Sequence, residues 1–386
     1  MNTKELDSKY VAHTYARFPL EIVRGKGALA YDEEGKEYLD LSSGIAVNTF
    51  GYGDEEWANS VSSQLLSLQH TSNLYYTSPC ATLAKLLCEK TGMSKVFFSN
   101  SGAEANECAI KLARAHGEKK GGKDCFKIIC LESSFHGRTL ATLAATGQAV
   151  FHEKFQPLPE GFVFAKAGDI ESVEKLIEEN NCCAVFMELI QGEGGVNVLE
   201  KEFVQKVYSL AKENDLLFMI DEVQTGNGRT GKLYAYMHYD VKPDVFTTAK
   251  GLGGGLPIGA CVMGEKAQDL LSFGDHGSTF GGNPAVCAGA VNIISRLTDE
   301  FLSEVTAKGE YLKKKLSETE GIREISGMGM MLGFLAEKES AEVISAAREK
   351  GLLVIKAKNK IRLLPPLCVT YEQLDKAVEI LASCVR

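Results

Sequence analysis

The sequence has no long apolar run: its 386 residues include no stretch that is long and apolar enough to cross a membrane. It also lacks a basic cluster, because 42 Lys and Arg stand against 51 Asp and Glu, which gives a net charge of −9. The first ten residues, MNTKELDSKY, are polar and contain acids, so they resemble neither a secretory signal nor a transit peptide. We therefore expect a cytoplasmic protein that binds neither membranes nor nucleic acid.

Cysteine occurs eleven times, but no two cysteines form a C-x-x-C pair, and the seven histidines are scattered along the chain. These spacings fit neither a disulfide framework nor a structural zinc site. Buried, reduced cysteines in a reducing cytosol are the better interpretation. We also expect no bound metal.

Apolar runs of strand length alternate with amphipathic helical segments in the middle of the chain. The predicted strands are Val96–Ser99, Lys127–Leu131, Ala184–Glu188, Leu216–Ile220 and Ile258–Met263. Segments such as Glu104–His116 and Glu202–Asn214 lie between them and have apolar residues at helical spacing. This alternation favours a mostly parallel α/β sheet covered by helices, in which ligands bind at the carboxyl ends of the strands.

The two ends of the chain follow other patterns. Near the start, Ala28–Asp32 and Glu37–Leu41 flank Glu34-Gly35 and predict a hairpin. The last hundred residues predict a smaller α+β domain with one long helix from Pro284 to about Ser317, short strands around Met331–Leu335, Leu352–Ile355 and Arg362–Leu364, and helices at Ser340–Lys350 and Tyr371–Cys384. We expect three parts: an N-terminal segment (1–45) packed with the small domain, a large domain (46–283) and the small domain (284–386).

A candidate phosphate-binding turn follows the first predicted strand of the large domain. Ser101 and Glu104 have the spacing of a capping box at a helix start. The small Gly102 and Ala103 leave N–H groups free at the positive end of the helix dipole, which suits a phosphate. An ordinary helix start is the alternative, and the motif alone does not decide between the two.

Two further residues stand where a ligand is expected. Asp221 follows a predicted buried strand, where its carboxylate could keep a heterocyclic nitrogen protonated; a solvated acid is the alternative. Lys250 is followed by five glycines in nine residues, which permit close backbone approach around one reactive amine. An amine that attacks a carbonyl needs a lowered pKa, which a desolvated pocket provides. A solvent-exposed lysine on a flexible loop is the alternative.

The motifs of the chain, taken in the order in which they occur, resemble those of the class III (ornithine-type) pyridoxal-phosphate aminotransferases, in particular the acetylornithine aminotransferases. The resemblance runs almost from end to end and rests on GKGALAYDEEGKEYLDLSSGIAVN, HTSNLYYTSP, SGAEANE, SFHGRT, QGEGGV, DEVQTGNGRTG, TTAKGLGGGLPIG, HGSTFGGNP and RLLPPL. It implies the fold-type I architecture, in which a mostly parallel seven-stranded sheet is sandwiched by helices beside a smaller α+β domain. It also implies pyridoxal 5′-phosphate as the cofactor.

The resemblance assigns roles at the cofactor. Lys250 should hold the cofactor covalently and move the proton, and Asp221 should pair with the protonated pyridine nitrogen. The other residues assigned to the cofactor are Ser101, Gly102 and Ala103 at the phosphate, Phe135 and Val223 on the two ring faces, Gln224 near the phenolic oxygen, and His136, Glu188 and Thr279. Thr279 would come from the partner subunit, which implies a homodimer with shared active sites.

The resemblance also assigns four residues to the substrate. Arg362 should grip an α-carboxylate through the bidentate geometry that arginine suits. Arg138 should bind the second carboxylate of a dicarboxylate or the far end of an acylated amine, and Glu193 should pair with the carboxylate-binding arginine when no such group is present. Ser278 completes this set. For either arginine alone, a surface or interface salt bridge is the alternative.

Two segments depart from the family pattern. Leu189 stands where the family commonly has proline, and Gly51–Glu55 replaces a Gly-His-x-His-Pro motif that lies near the substrate entrance in the family. Neither touches the core chemistry, but the second bears on which amine is used.

The expected reaction moves the terminal amino group of N²-acetylornithine to 2-oxoglutarate, which gives N-acetylglutamate 5-semialdehyde and glutamate in arginine biosynthesis. The alternatives are ornithine, succinylornithine, 4-aminobutyrate or lysine-type aminotransferases, an aminomutase of the glutamate-1-semialdehyde type, and a regulatory module without activity. An aminomutase would not need 2-oxoglutarate as a separate acceptor.

Overall fold

The computed structural model describes all 386 residues, in twelve α-helices and seventeen strands. The first part of the chain contains α1 (Thr3–Tyr10), β1 (Ile22–Lys26), β2 (Leu29–Asp32), β3 (Glu37–Asp40), α2 (Ser43–Ala46), α3 (Glu55–Ser67) and α4 (Ser78–Thr91). The middle contains β4 (Lys95–Ser99), α5 (Gly102–Gly121), β5 (Lys127–Leu131), α6 (Leu140–Ala145), β6 (Phe162–Ala165), α7 (Ile170–Glu179), β7 (Cys182–Met187), β8 (Ile190–Gln191), β9 (Asn197–Val198), α8 (Lys201–Glu213), β10 (Leu217–Asp221), β11 (Val245–Thr248) and β12 (Gly259–Met263). The last part contains α9 (Pro284–Arg296), α10 (Asp299–Ser317), β13 (Ile322–Met328), β14 (Met331–Ala336), α11 (Ser340–Glu349), β15 (Leu352–Leu353), β16 (Ile355–Ala357), β17 (Lys360–Leu363) and α12 (Tyr371–Ala382).

A seven-stranded sheet forms the centre of the molecule, with the order β4-β12-β11-β10-β7-β5-β6. Only β12 runs antiparallel to its neighbours β11 and β4, so the sheet is mostly parallel, and the predicted fold class is confirmed. The five predicted strands correspond to β4, β5, β7, β10 and β12, while β6 and β11 were not among the predicted runs. Both missed strands are only four residues long, which gives little pattern to detect.

The central strands are buried on both faces because helices cover the two sides of the sheet. Every residue of β7, β10 and β12 is buried. Helix α5 packs on the sheet through apolar residues at helical spacing, among them Ala105, Cys108, Ala109, Leu112 and Ala113, all of which are fully buried. None of the twelve helices combines the length and the apolar composition that a bilayer crossing requires.

The cysteines are all free thiols in this fold. Eight of the eleven are buried, and Cys182 and Cys183 lie in β7 at the middle of the core. Burial raises the pKa of Cys182 to about 11 and that of Cys183 to about 12, so both stay protonated thiols at neutral pH.

Two predictions for the last hundred residues are wrong in detail. The single helix predicted from Pro284 to Ser317 is two helices, because Thr298 caps α10 by accepting a hydrogen bond from the amide of Phe301. Asp299 and Glu300 then stand in the first turn, where acids favour a new helix start. The predicted strand Leu352–Ile355 is also divided, since β15 pairs with β3 whereas β16 pairs with β17. Strand β13 was missed.

The N-terminal strands join the last part of the chain. The predicted hairpin is confirmed: β2 and β3 pair antiparallel, with Leu29 opposite Leu39. Strand β15 adds to this hairpin in parallel, so Leu352 pairs with Leu39. A second sheet, of order β13-β14-β17-β16, lies in the C-terminal region. The division into parts at residues 45 and 283 stays a prediction, and the pairing of β3 with β15 is what supports it.

We predict that Gly117→Ala destabilises the protein. A Cβ at this position in α5 would lie 1.8 Å from the carbonyl oxygen of Cys125 and 2.7 Å from the Cβ of Cys183. Because backbone atoms would have to move, we expect a loss of about 1–3 kcal/mol despite the better helix propensity of alanine. Thermal unfolding followed by circular dichroism measures this loss. Gly121→Ala is the control, since its Cβ would meet only the Cys125 side chain, at 3.0 Å; equal stability of the two variants would contradict the prediction.

Candidate active site

A cavity of about 620 Å³ lies at the carboxyl edge of the central sheet. Because the parallel strands end at the same edge, residues that follow β4, β5, β7, β10 and β11 meet there. Most of the predicted site residues line this cavity, namely Ser101, Gly102, Ala103, Phe135, His136, Arg138, Glu188, Asp221, Val223, Gln224 and Lys250. Segments far apart in the sequence therefore form one site.

Asp221 is the last residue of β10, and hydrogen bonds fix both of its oxygens. Oδ1 accepts from the amide of Val223 at 2.9 Å. Oδ2 accepts from Nδ2 of Asn106 at 2.8 Å and faces Nδ1 of His136 at 2.9 Å. An ionised carboxylate can only accept, so the Nδ1 of His136 carries the proton. The carboxylate is only 4% exposed, and these donors compensate its lost hydration.

Asn106 was missed by the sequence analysis. Its Nδ2 bridges Oδ2 of Asp221 and the carbonyl oxygen of His136, the latter at 2.7 Å. The signal in the sequence was an asparagine on the otherwise apolar face of a predicted helix. His136 was predicted to bind the cofactor; the structure shows its ring against Phe186, with centroids 4.2 Å apart, and bonded to Asp221. Both residues thus hold the carboxylate.

Lys250 lies in the wall of the cavity, directly after β11. Burial lowers its pKa to about 8, and the nearby charge of Arg362 adds to this effect against the opposing charge of Glu193. The residue begins a short 3₁₀ turn and has φ +46°, in the left-handed region. The interpretation as an exposed lysine on a flexible loop is therefore wrong.

The turn after β4 forms the start of the 20-residue helix α5. Ser101 is its N-cap, and Oγ accepts from the amide of Glu104 at 3.2 Å. The capping box is only half formed, because the Glu104 carboxylate accepts from the amide of Asn100 rather than from that of Ser101. The amides of Gly102 and Ala103 open the helix, where N–H groups have no intrahelical partner. A Cβ on Gly102 would lie 2.7 Å from a methyl carbon of Val223, so any larger residue here would have to displace the Val223 side chain.

Arg362 is an almost fully buried cation next to Gln224; neither Arg362 nor Glu193 is among the residues that line the cavity. Its Nη1 donates to Oε1 of Glu193 at 2.6 Å and to Oε1 of Gln224 at 2.9 Å. Its Nε is buried and has no partner. Burial by itself would raise the pKa of Glu193, but the charge and hydrogen bond of Arg362 outweigh burial and hold this pKa below its usual value. The pair is an internal one and not a surface salt bridge.

Arg138 lines the same cavity without a carboxylate partner. Its guanidinium lies 4.4 Å from the ring centre of Phe151 and 5.5 Å from that of Phe135, so aromatic faces support its position. The two arginines therefore differ: Arg362 is paired with an acid, whereas Arg138 is exposed and free to bind an anion.

Glu188 follows β7 and is 5% exposed. One of its oxygens accepts from the amide of Phe135 at 2.8 Å, which fixes the backbone that carries this ring. Burial and then the negative charge of Asp221 raise the pKa of Glu188 well above its ordinary value.

Ser278 and Thr279 do not join this cavity within one chain. They line a neighbouring depression, where the Ser278 hydroxyl bonds to Nδ2 of Asn100 at 3.1 Å and to the amide of Gly281 at 2.9 Å. Thr279 is exposed. By contrast, Tyr15 from the N-terminal segment does line the cavity, and nothing in its sequence context indicated this.

The residues present fit pyridoxal 5′-phosphate. This molecule carries a phosphate, a basic ring nitrogen and an aldehyde. The start of α5 offers free amides and a positive dipole end for the phosphate. The fixed carboxylate of Asp221 suits a protonated ring nitrogen, and the low-pKa amine of Lys250 suits the aldehyde. One cavity thus contains a chemical partner for each of the three groups.

We predict that the Lys250 amine reacts with acylating reagents at unusually low pH. With the cofactor removed from the full-length protein, the rate of Nζ acylation should rise with a midpoint near pH 8, because burial favours the neutral amine. An ordinary lysine titrates at about 10.4. Peptide mass spectrometry across a pH series measures this profile, with the exposed lysines as internal references. A midpoint like theirs would contradict the prediction.

Comparison with known proteins agrees with this chemistry. The profile of the family described as aminotransferase class-III matches residues 10–385. Acetylornithine aminotransferase of Haemophilus ducreyi is 47% identical over 98% of this chain and 97% of that protein, and the Aquifex aeolicus enzyme of the same name is 46% identical over 96% and 98%.

Solved structures with similar folds are aminotransferases as well. An ornithine aminotransferase from Toxoplasma gondii, described with partial occupancy of PLP at its active site, has a TM-score of 0.93 at 30% identity and covers 98% of this chain and 93% of its own. N-acetylornithine aminotransferase from Stenotrophomonas maltophilia has a TM-score of 0.85 at 32% identity, with coverage of 98% and 97%. The chain therefore belongs to the class-III aminotransferases, enzymes that use pyridoxal 5′-phosphate.

Proposed function

We propose that this enzyme moves the terminal amino group of N²-acetylornithine to 2-oxoglutarate, as a step of arginine biosynthesis. The products are N-acetylglutamate 5-semialdehyde and glutamate. Full-length similarity to acetylornithine aminotransferases supports the substrate. The observation that carries the proposal is that the cavity has an unpaired arginine, Arg138, in its lining and a second arginine, Arg362, paired with Glu193 behind the lining residue Gln224. This arrangement suits one site that accepts two different substrates.

Pyridoxal phosphate supplies the electron sink for this reaction when bound. Lys250 is the residue that would hold it covalently through Nζ; once the substrate amine has taken its place, the released Lys250 amine would take and return the proton at the substrate carbon. Asp221 would keep the ring nitrogen protonated, since Asn106 and His136 hold its carboxylate in place. Ser101, Gly102 and Ala103 would bind the phosphate, and Phe135, Val223, Gln224 and Glu188 would surround the ring.

The two arginines explain how both substrates use one site. Arg138 binds the carboxylate that is far from the reacting amine in N²-acetylornithine and in glutamate. Near the reacting carbon, N²-acetylornithine has no carboxylate, so Glu193 stays paired with Arg362. Glutamate and 2-oxoglutarate bring a carboxylate there, and it displaces Glu193 from Arg362. The buried, unpartnered Nε of Arg362 gives a bidentate acceptor a second donor.

A homodimer is part of this proposal. Thr279 and Ser278 lie outside the cavity of their own chain, so they would serve the site of a second copy. Large apolar side chains surround this region without cover: Leu74 is 86% exposed, Phe280 is 60% exposed and Tyr76 is fully exposed. Monomers rarely expose such a surface. We also propose a cytoplasmic location, since a reducing compartment suits eleven free thiols.

The first prediction from the proposed function concerns the visible absorption of the purified enzyme. N²-acetylornithine should bleach the band of the bound cofactor, and 2-oxoglutarate should restore it, because the amino group moves in two half-reactions. A response to ornithine or 4-aminobutyrate instead would change the substrate but keep the chemistry. Turnover without any 2-oxo acid acceptor would indicate an aminomutase and contradict the proposal.

The second prediction concerns Lys250. Lys250→Ala removes both the covalent attachment and the proton transfer, so turnover should fall by at least about 10³-fold. Steady-state assays with N²-acetylornithine and 2-oxoglutarate measure this loss. Lys242→Ala, at an exposed lysine, is the control. Activity of Lys250→Ala close to wild type would refute the assignment.

The third prediction concerns Glu193. Glu193→Gln keeps the size of the side chain but removes the charge that pairs with Arg362. Glutamate should gain over N²-acetylornithine, with the ratio of their kcat/KM values shifting by about tenfold. Single half-reactions followed by stopped-flow absorbance give both values. Glu202→Gln, on the exposed side of α8, serves as the control, and an unchanged ratio in Glu193→Gln would count against the exchange of partners at Arg362.

A further inference from the structure

The backbone of Lys250 has a conformation that its own side chain disfavours. Its φ of +46° lies in the left-handed region, where the Cβ of an L-residue comes too close to the following carbonyl oxygen. The next residue is Gly251 and the run continues with three more glycines before Leu256, so the chain beyond Lys250 has little stiffness of its own. Groups outside this turn must therefore hold the lysine where the cavity needs it.

The carbonyl groups on both sides of Lys250 accept hydrogen bonds from other parts of the chain. Nδ2 of Asn227 donates to the oxygen of Ala249 at 3.1 Å and to Oγ1 of Thr248 at 2.9 Å. The hydroxyl of Thr49 donates to the oxygen of Gly251 at 2.9 Å. Both hydrogens of the Asn227 amide are thus used on the two residues that precede the lysine.

Asn227 is suited to this task by its own position. It is 2% exposed and has φ +56°, a conformation that asparagine tolerates better than most residues. It lies six residues after Asp221 in the same loop, so its amide links the Asp221 loop to the Lys250 turn. A Cβ on Gly251 would lie 3.3 Å from the Cβ of Asn227, which shows how closely the two segments pack.

We propose that Asn227 is a positioning residue of the active site: by bonding to Thr248 and Ala249 it holds the Lys250 backbone in its left-handed turn and so sets the location of the reacting amine. Asn227 is not among the residues that line the cavity, so it acts through Lys250 and does not touch the substrate. The proposal rests on the role proposed above for Lys250.

The test uses Asn227→Gly, which keeps the left-handed backbone accessible but removes the amide. Because glycine also loosens its own loop, Thr248→Val provides a second variant: it keeps the shape of a fully buried side chain and removes the hydroxyl whose Oγ1 accepts from Asn227. Thr248→Ser retains the hydroxyl and is the matched control. Each full-length holoenzyme is examined by amide hydrogen exchange with mass spectrometry and by steady-state kinetics.

We expect exchange in peptides that span residues 247–253 to accelerate in Asn227→Gly and, less strongly, in Thr248→Val, with Thr248→Ser like wild type. The kcat should fall by about tenfold in Asn227→Gly and by a few-fold in Thr248→Val, while both KM values stay within about twofold, because positioning of the reacting group affects the chemical step. Unchanged exchange in this segment in both variants, or KM changes that exceed those in kcat, would overturn the proposal. Exchange needs no substrate, so this result is independent of which amine the enzyme uses.

Discussion

Burial of the Asp221 carboxylate at the end of the central strand is the constraint on which the rest of the site depends. A charge that is 4% exposed is tolerated only if donors replace the water it has lost. Asn106 on α5, His136 after β5 and the amide of Val223 provide them. These same bonds join α5 and the segment of Phe135 and His136 to the end of β10. Three walls of the cavity are therefore linked through one carboxylate.

The charged groups in and next to the cavity partly neutralise one another. Arg362 and Glu193 neutralise each other at 2.6 Å, which leaves the amine of Lys250 between a nearby cation and a nearby anion. Burial then dominates, and the pKa of Lys250 falls to about 8. The pKa of Glu188 is shifted in the opposite direction, upward, because burial and the negative charge of Asp221 both favour its protonated form. In the proposed reaction, a substrate carboxylate that displaces Glu193 would change this balance and would thereby link substrate exchange to proton transfer by Lys250.

The small sheets connect the site to the ends of the chain. Arg362 lies on β17, whose neighbour β16 follows β15 after a single residue, and β15 pairs with the N-terminal β3. The N-terminal segment also brings Tyr15 to the cavity wall. The first part of the chain thus contributes a residue to the cavity wall and the last part places Arg362 next to it, although neither part contains a strand of the central sheet.

Apolar periodicity and turn residues act over short distances, so the sequence was enough to predict most local elements and the strand ends at which Asp221 and Glu188 lie. Strand β11, which comes shortly before Lys250, was missed. The sequence was also enough to recognise the family, because the family motifs are short segments that occur in a characteristic order along the chain. The break of the predicted helix at Thr298 is a local effect, since Thr298 caps α10 through the amide of Phe301, three residues further on. Tertiary packing, by contrast, decides which donors reach Asp221 and that the chain changes sheets after Leu353. It likewise decided the contacts of Asn227 with the turn of Lys250. Such contacts join residues that are distant in sequence. The identity of one polar residue does not indicate which distant group it will bond to in the folded chain.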